Sequence, residues 1–216
     1  LNDEVKWVRF SPTIAWIKDG SGFFYARYPE SKQGTESQAS VSNHAVYFHA
    51  IGTPQAQDRL VYTNPDQPNM LHTLSITEDG RYLAIASTPA SSGNKLTVVD
   101  LQSADWKPRK LVDNLDNIWA IAGNVGTKFF LMTNQDAPRF KVVTMDIAAA
   151  DPVIKDVVPE QDSVLNNASL VGGRLLISYL VDVKTEVRRY TLDGKAEGVV
   201  KLPGIGTAVG FESKQD

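Results

Sequence analysis

The sequence contains no cysteine, which excludes a disulfide framework, a thiolate metal site and a thiol nucleophile. That absence fits cytoplasm and periplasm alike and leaves the compartment undetermined. There are only three histidines, His44, His49 and His72; they have no H-x-x-x-H spacing and no triad arrangement, so no metal or other cofactor is expected. "GNVGT" and "VGG" read as hairpin turns, in the wrong context for a phosphate loop. Neither sign of charge dominates: a net charge of −3 and a pI near 5.6 leave no electrostatic footprint for nucleic acid or an anionic membrane. No apolar run approaches the roughly 18 residues that span a bilayer. The opening "LNDEVKWVRF" lacks a basic start followed by an apolar core, so no signal peptide is read there. Sustained helical periodicity is missing too; the best candidate, "MDIAAADP", is short and ends at Pro152.

What is present is strand-and-turn texture in 216 residues, 42% of them hydrophobic and 22% charged, enough for a real core. Short apolar runs rich in Val, Ile, Phe, Tyr and Trp alternate with Gly, Asp, Asn and Pro. The runs repeat. "DGRYLAIAST" (79–88), "VGTKFFLMTN" (125–134) and "GGRLLISYLV" (172–181) each set a Gly turn and a polar residue before an apolar strand. Those strands begin near Tyr82, Phe129 and Leu175, at spacings of 47 and 46 residues. Each is followed by a strand closing on an aspartate, Asp100, Asp146 or Asp193.

Four strands per unit at a period of 40 to 50 residues indicates β-propeller blades, a regularity that a sandwich does not require. The fold class is therefore all-β, with four-stranded antiparallel blades over 5–63, 69–113, 117–158 and 163–202 and a further blade starting at 204–211. The first blade carries about 13 extra residues between Pro29 and Ala45. Strand pattern runs almost to both ends, so the chain is expected to be a piece of a larger ring.

"AWIKDGSGFFYARYP", "VYFHAIGTPQAQDRLVYT", "DGRYLAIAS", "LMTNQDAPRFKVVTMD" and "YLVDVKTEVRRYTLDG" together resemble, in order, the seven-bladed propeller domain of the prolyl oligopeptidase family. The segment from His49 to Tyr62 (H-x-I-G-T-x-x-x-x-D-x-L-V-Y) is similar to the related oligopeptidase B as well, whereas "FFYARYP" and "TNQDAP" look more like prolyl oligopeptidase proper. The resemblance implies a two-domain serine peptidase. An α/β-hydrolase domain carries a Ser-Asp-His triad, and a propeller caps it, excludes folded proteins and admits short peptides that are cut after proline. The G-x-S-x-G nucleophile elbow of such a hydrolase is absent from these 216 residues. No catalytic residue is assigned here, and Ser21 in "GSGFF" is a turn serine.

The same resemblance implies that propeller residues near Phe10, Leu71 and Thr88 line the peptide pocket. Phe10 and Leu71 would offer apolar contacts, or else pack between blades. Thr88 departs from the family pattern, which has an arginine there able to donate charge-assisted hydrogen bonds to a substrate carbonyl; Arg27 and Lys95 are candidate substitutes. The insertion "YPESKQGTESQASVSNHA" is polar and short of apolar anchors, so it reads as a surface loop. In the family the corresponding loop faces the catalytic domain, which makes Gln33, Glu36, Asn43 and His44 candidate gate residues; a tolerated decorative insertion is the other reading. The partners implied are proline-containing peptides and the hydrolase domain, with neither nucleic acid nor membrane. The alternative is a stand-alone propeller for protein–protein binding, and a downstream G-x-S-x-G followed by Asp and His discriminates the two.

Overall fold

β-Branched and aromatic runs bounded by Gly, Asp and Asn favour extended chain and tight turns. A computed structural model of the chain describes residues 3–8, 14–30, 41–89 and 93–211. Among these residues the strands form four four-stranded antiparallel sheets, each a meander in chain order. Sheet 1 comprises β1 (Ala15–Trp16), β2 (Gly22–Arg27), β3 (Ala45–Ala50) and β4 (Arg59–Tyr62); sheet 2 comprises β5 (Leu71–Ile76), β6 (Tyr82–Thr88), β7 (Lys95–Asp100) and β8 (Arg109–Val112). Sheet 3 holds β9 (Trp119–Val125), β10 (Lys128–Thr133), β11 (Lys141–Asp146) and β12 (Ile154–Val158). Sheet 4 holds β13 (Val164–Val171), β14 (Arg174–Val181), β15 (Lys184–Tyr190) and β16 (Ala196–Val199). The chain divides into two compact units, Leu1–Leu115 with sheets 1 and 2 and Asp116–Asp216 with sheets 3 and 4.

The second strand of each sheet explains the apolar runs. β2, β6 and β10 are buried along most of their length rather than at alternate positions, because both faces of these strands are covered and neither needs a polar side chain. In the first unit Phe24, Val46, Leu83, Ile85 and Val99 are wholly buried in one cluster, and in the second Phe130, Val142, Leu175, Ile177 and Tyr179 are.

Repetition extends to irregularities. In every sheet the pairing of the third strand with the outer strand shifts register, at Val46/Tyr47, Leu96/Thr97, Val142/Val143 and Arg189/Tyr190. Such bulges increase the local twist of the outer strand. The closing aspartates have a local cause: Asp100 and Asp146 each accept, at 3.0 Å, the backbone N–H two residues on (Gln102 and Ala148), an Asx turn that starts the path to the outer strand.

The stretch expected to open a further blade, 204–211, forms no strand; it runs as bends and irregular chain. Gly206 accepts from the N–H of Thr185, and Ala208 donates to the Thr185 hydroxyl. A strand is stabilised by ladder partners, and none pairs with this stretch among the described residues.

Gly22 opens β2 where a side chain has no room: a Cβ there would lie 2.5 Å from the carbonyl oxygen of His49 and closer still to the Phe48 ring. At Gly204 a Cβ would meet nothing within 4 Å. Gly22→Ala is therefore expected to lower unfolding free energy by about 1–3 kcal/mol, while Gly204→Ala stays within about 0.5 kcal/mol. Urea denaturation of the two variants checks this, and equal stability would refute the crowding at Gly22.

Candidate functional site

One end of the first unit gathers the inserted loop's base and the start of sheet 2. Asn43, in the left-handed region (φ 60°), donates its backbone N–H to Pro68 at 2.6 Å. That bond fastens the end of the insertion to the connection leading into β5. His44 follows, only 2% exposed, and its Nδ1 accepts the backbone N–H of His72 at 3.0 Å. The two imidazoles stack at 5.5 Å with an interplanar angle of 14°. Tyr28 closes on His44 and Tyr62 meets His72 edge-on, at 4.7 and 5.2 Å between ring centroids. His72 Nδ1 lies 2.9 Å from the hydroxyl of Ser87 on β6.

An Nδ1 that accepts a backbone N–H carries no proton, so His44 is held in the Nε2–H tautomer. Among the described residues neither His44 Nε2 nor His72 Nε2 has a hydrogen-bond partner. Burial pushes both rings down to about 4, and for His72 the neighbouring His44 adds to the effect. The pair is neutral at physiological pH.

A second polar network lies within sheet 1. His49 Nδ1 stands 2.7 Å from Asp58 Oδ1, both side chains fully buried. Asp58 Oδ2 accepts the Tyr25 hydroxyl at 2.5 Å, and Gln55 Nε2 donates to that hydroxyl at 2.9 Å. Gln55 also exchanges hydrogen bonds with the backbone of Lys6, so the network holds the 3–8 segment. Burial, with the Asp58 carboxylate beside it, raises the Tyr25 phenol well above its ordinary range. The His–Asp pair has the orientation of two-thirds of a triad, yet no nucleophilic side chain is hydrogen-bonded to His49 Nε2 among the described residues. The arrangement is a clamp. It accounts for the spacing of His49 and Asp58 in the H-x-I-G-T-x-x-x-x-D segment, a pairing that the strand pattern does not indicate.

Comparison with known proteins agrees with this architecture. The family model described as "Prolyl oligopeptidase, N-terminal beta-propeller domain" matches residues 1–216. The chain belongs to that family. Prolyl oligopeptidase A of Galerina marginata is 33% identical over 219 residues, covering 96% of this chain and 29% of that protein. The prolyl endopeptidase of Elizabethkingia meningoseptica is 33% identical over 213 residues, covering 98% and 30%. A solved structure from an analysis of two prolyl endopeptidases superposes with a TM-score of 0.87 at 33% identity, covering 97% of this chain and 30% of that one. Prolyl oligopeptidase B from Galerina marginata, bound to a 25mer macrocyclization substrate, does so at 0.86 and 31%, covering 95% and 29%. The chain thus spans about 30% of the length of the curated relatives it matches, and each of its sheets is a blade of the prolyl oligopeptidase propeller.

Of the residues that the family resemblance singles out, Leu71 and Thr88 stand directly opposite each other across β5 and β6, one step from the His72–Ser87 pair. His44 and Asn43 join them from sheet 1, so these four residues share one end of the unit. His44, read from sequence as part of the loop, is a buried anchor, because an imidazole stacked between Tyr28 and His72 is shielded from water. Thr88 Oγ1 reaches the Gly93 carbonyl at 3.4 Å. Lys95 is engaged with Asp113 at 2.8 Å, whereas Arg27 lies over the Tyr47 ring at 4.2 Å and its buried Nε has no hydrogen-bond partner among the described residues. Phe10, Gln33 and Glu36 lie outside the described residues.

The imidazole pair predicts an acid response with a definite sign. Above pH 6.5 neither folded nor unfolded chain protonates these rings. Between pH 6.5 and about 4 the unfolded chain binds protons that the folded one refuses, so stability falls as pH drops through that window, with no further loss below it. Urea titrations across this range should give a slope that is flattened in His44→Phe/His72→Phe. An equal slope in that variant would show that other groups govern the response.

Proposed function

We propose that this chain is the gating, non-catalytic propeller portion of a serine peptidase that cuts short peptides after proline. The observation that carries the reading is the family match over residues 1–216, with relatives that are themselves prolyl oligopeptidases and endopeptidases. Peptide substrates are supported by the relative from Galerina marginata bound to a 25mer and a 35mer. The blades 5–63, 69–113, 117–158 and 163–202 form part of a seven-bladed ring over a hydrolase domain that supplies Ser, Asp and His. The ring excludes folded proteins by size.

Within it, Phe10 and Leu71 offer apolar contact to the peptide. Thr88 substitutes a short hydroxyl for an arginine and so contacts the residues before the cleaved bond weakly. The insertion, with Gln33, Glu36, Asn43 and His44, is a gate fastened at its end by Asn43 and His44. A closing lid excludes water and completes a pocket.

The full-length protein should hydrolyse a Gly-Pro chromogenic peptide and lose that activity to a serine-reactive inhibitor. Neither hydrolysis nor labelling would favour a stand-alone binding propeller. Thr88→Arg should lower KM by about tenfold, the worth of one charge-assisted hydrogen bond, only for peptides extended on the N-terminal side. An unchanged KM across that series would remove Thr88 from the pocket. Deleting Gln33–Ser42 should change kcat/KM without moving the melting temperature, and a kinetically silent deletion would leave the insertion decorative.

A further inference from the structure

The opposite end of the first unit holds a cavity of about 480 Å³ beside the Asp19-Gly20 turn, within the size range of small-ligand sites. Its walls are apolar: Ile17 and Phe48 from sheet 1, Leu101 and Trp106 from the turn after β7. Trp106 is rigidly placed. Its indole N–H donates to the Leu101 carbonyl at 3.2 Å, and its ring meets Phe24 and Phe48 at 5.3 and 5.0 Å, edge-on to Phe48. The Arg59 guanidinium caps the indole at 4.5 Å while its Nη2 donates to the Asp105 carbonyl. The Trp106 backbone sits at φ 50°, a left-handed conformation unfavourable for a bulky aromatic and held by these contacts. An indole so fixed is a preorganised wall.

The polar rim carries one side chain of each charge, Lys18 and Asp19. Lys18 lines the cavity with its aliphatic stem lying along Gly80, and its ammonium has no ion-pair or hydrogen-bond partner among the described residues. Ser21 adds a hydroxyl. Asp19, the one carboxylate in the lining, accepts the Ser21 backbone N–H at 2.9 Å, a bond that holds its carboxyl below the ordinary value and ties the charge to the turn without cancelling it. An apolar cavity whose edge offers one unpaired cation, with the neighbouring carboxylate already tied to the turn by Ser21, complements an apolar body whose single carboxylate reaches Lys18.

We propose that this cavity binds an apolar carboxylate, with the hydrocarbon or aromatic body against Phe48, Leu101 and Trp106 and the carboxylate on Lys18. A free aromatic acid and the C-terminal residue of a peptide both carry this chemistry. The site lies in sheets 1 and 2 at the end away from His44, and its binding is read without turnover, so it stands or falls apart from the peptidase reading.

Isothermal titration of the full-length protein with 3-phenylpropionate tests it. Saturable binding is expected with Kd at or below about 1 mM. The neutral 3-phenylpropanamide should bind at least about tenfold more weakly, as should the acid to Lys18→Met, a surface change that leaves the fold intact. N-acetyl-Gly-Phe binding tighter than 3-phenylpropionate assigns the site to peptide termini, and the reverse order assigns it to free acids. No saturation up to about 10 mM overturns the proposal. So does equal binding of acid and amide, or undiminished binding to a folded Lys18→Met protein.

Discussion

Burial of the middle strands on both faces is the constraint from which the rest follows. A strand such as β6, buried over most of its seven residues, needs apolar cover above and below, and a single four-stranded sheet supplies neither. In each compact unit the cover comes from the neighbouring sheet, with Leu74, Leu83 and Ile85 sharing a cluster with Phe24 and Val46, and Leu165, Leu170 and Leu175 sharing one with Phe130 and Val142. Apolar burial at about 25 cal/mol per Å² supplies the drive. It also makes the two sheets of each unit depend on each other, as neighbours do in other repeat architectures.

Between sheets 1 and 2 the apolar cluster is bracketed by two unlike joints. At the end bearing the insertion the joint is polar and buried, with His44 accepting a backbone N–H from His72 and tyrosines on either side. At the other end it is aromatic, with Trp106 reaching from the turn after β7 to Phe24, Phe48 and Arg59. The polar joint has its geometry set by a directional bond, and unpaired buried nitrogens make it sensitive to protonation. The aromatic joint depends on shape and leaves a cavity beside it. Leu71 and Thr88 sit next to the directional joint, the stiffer of the two settings.

Much of the architecture was legible because the physics that builds it is local. Apolar runs, Gly turns and closing aspartates are each set within about ten residues, and the Asx turns at Asp100 and Asp146 give the repeated aspartate a reason. The stretch 204–211 marks the limit of that reasoning, since apolar composition there does not make a strand without a ladder to join. The candidate pocket was legible only through likeness to relatives. Nothing in the local pattern around Leu71 or Thr88 distinguishes a pocket wall from ordinary packing.

Sequence by itself determined the all-β class, the period of the blades and the place of the insertion, because strands buried on both faces write their burial into consecutive residues. Only the tertiary structure decided that His44 is an anchor, that His49 belongs to Asp58 and Tyr25, and that Trp106 is a wall. These partners lie on different strands or sheets, 28 residues apart for His44 and His72 and 33 for Tyr25 and Asp58. Hydrogen bonds and ring contacts act over a few ångströms of space, and distance along the chain carries no record of them until the sheets have packed.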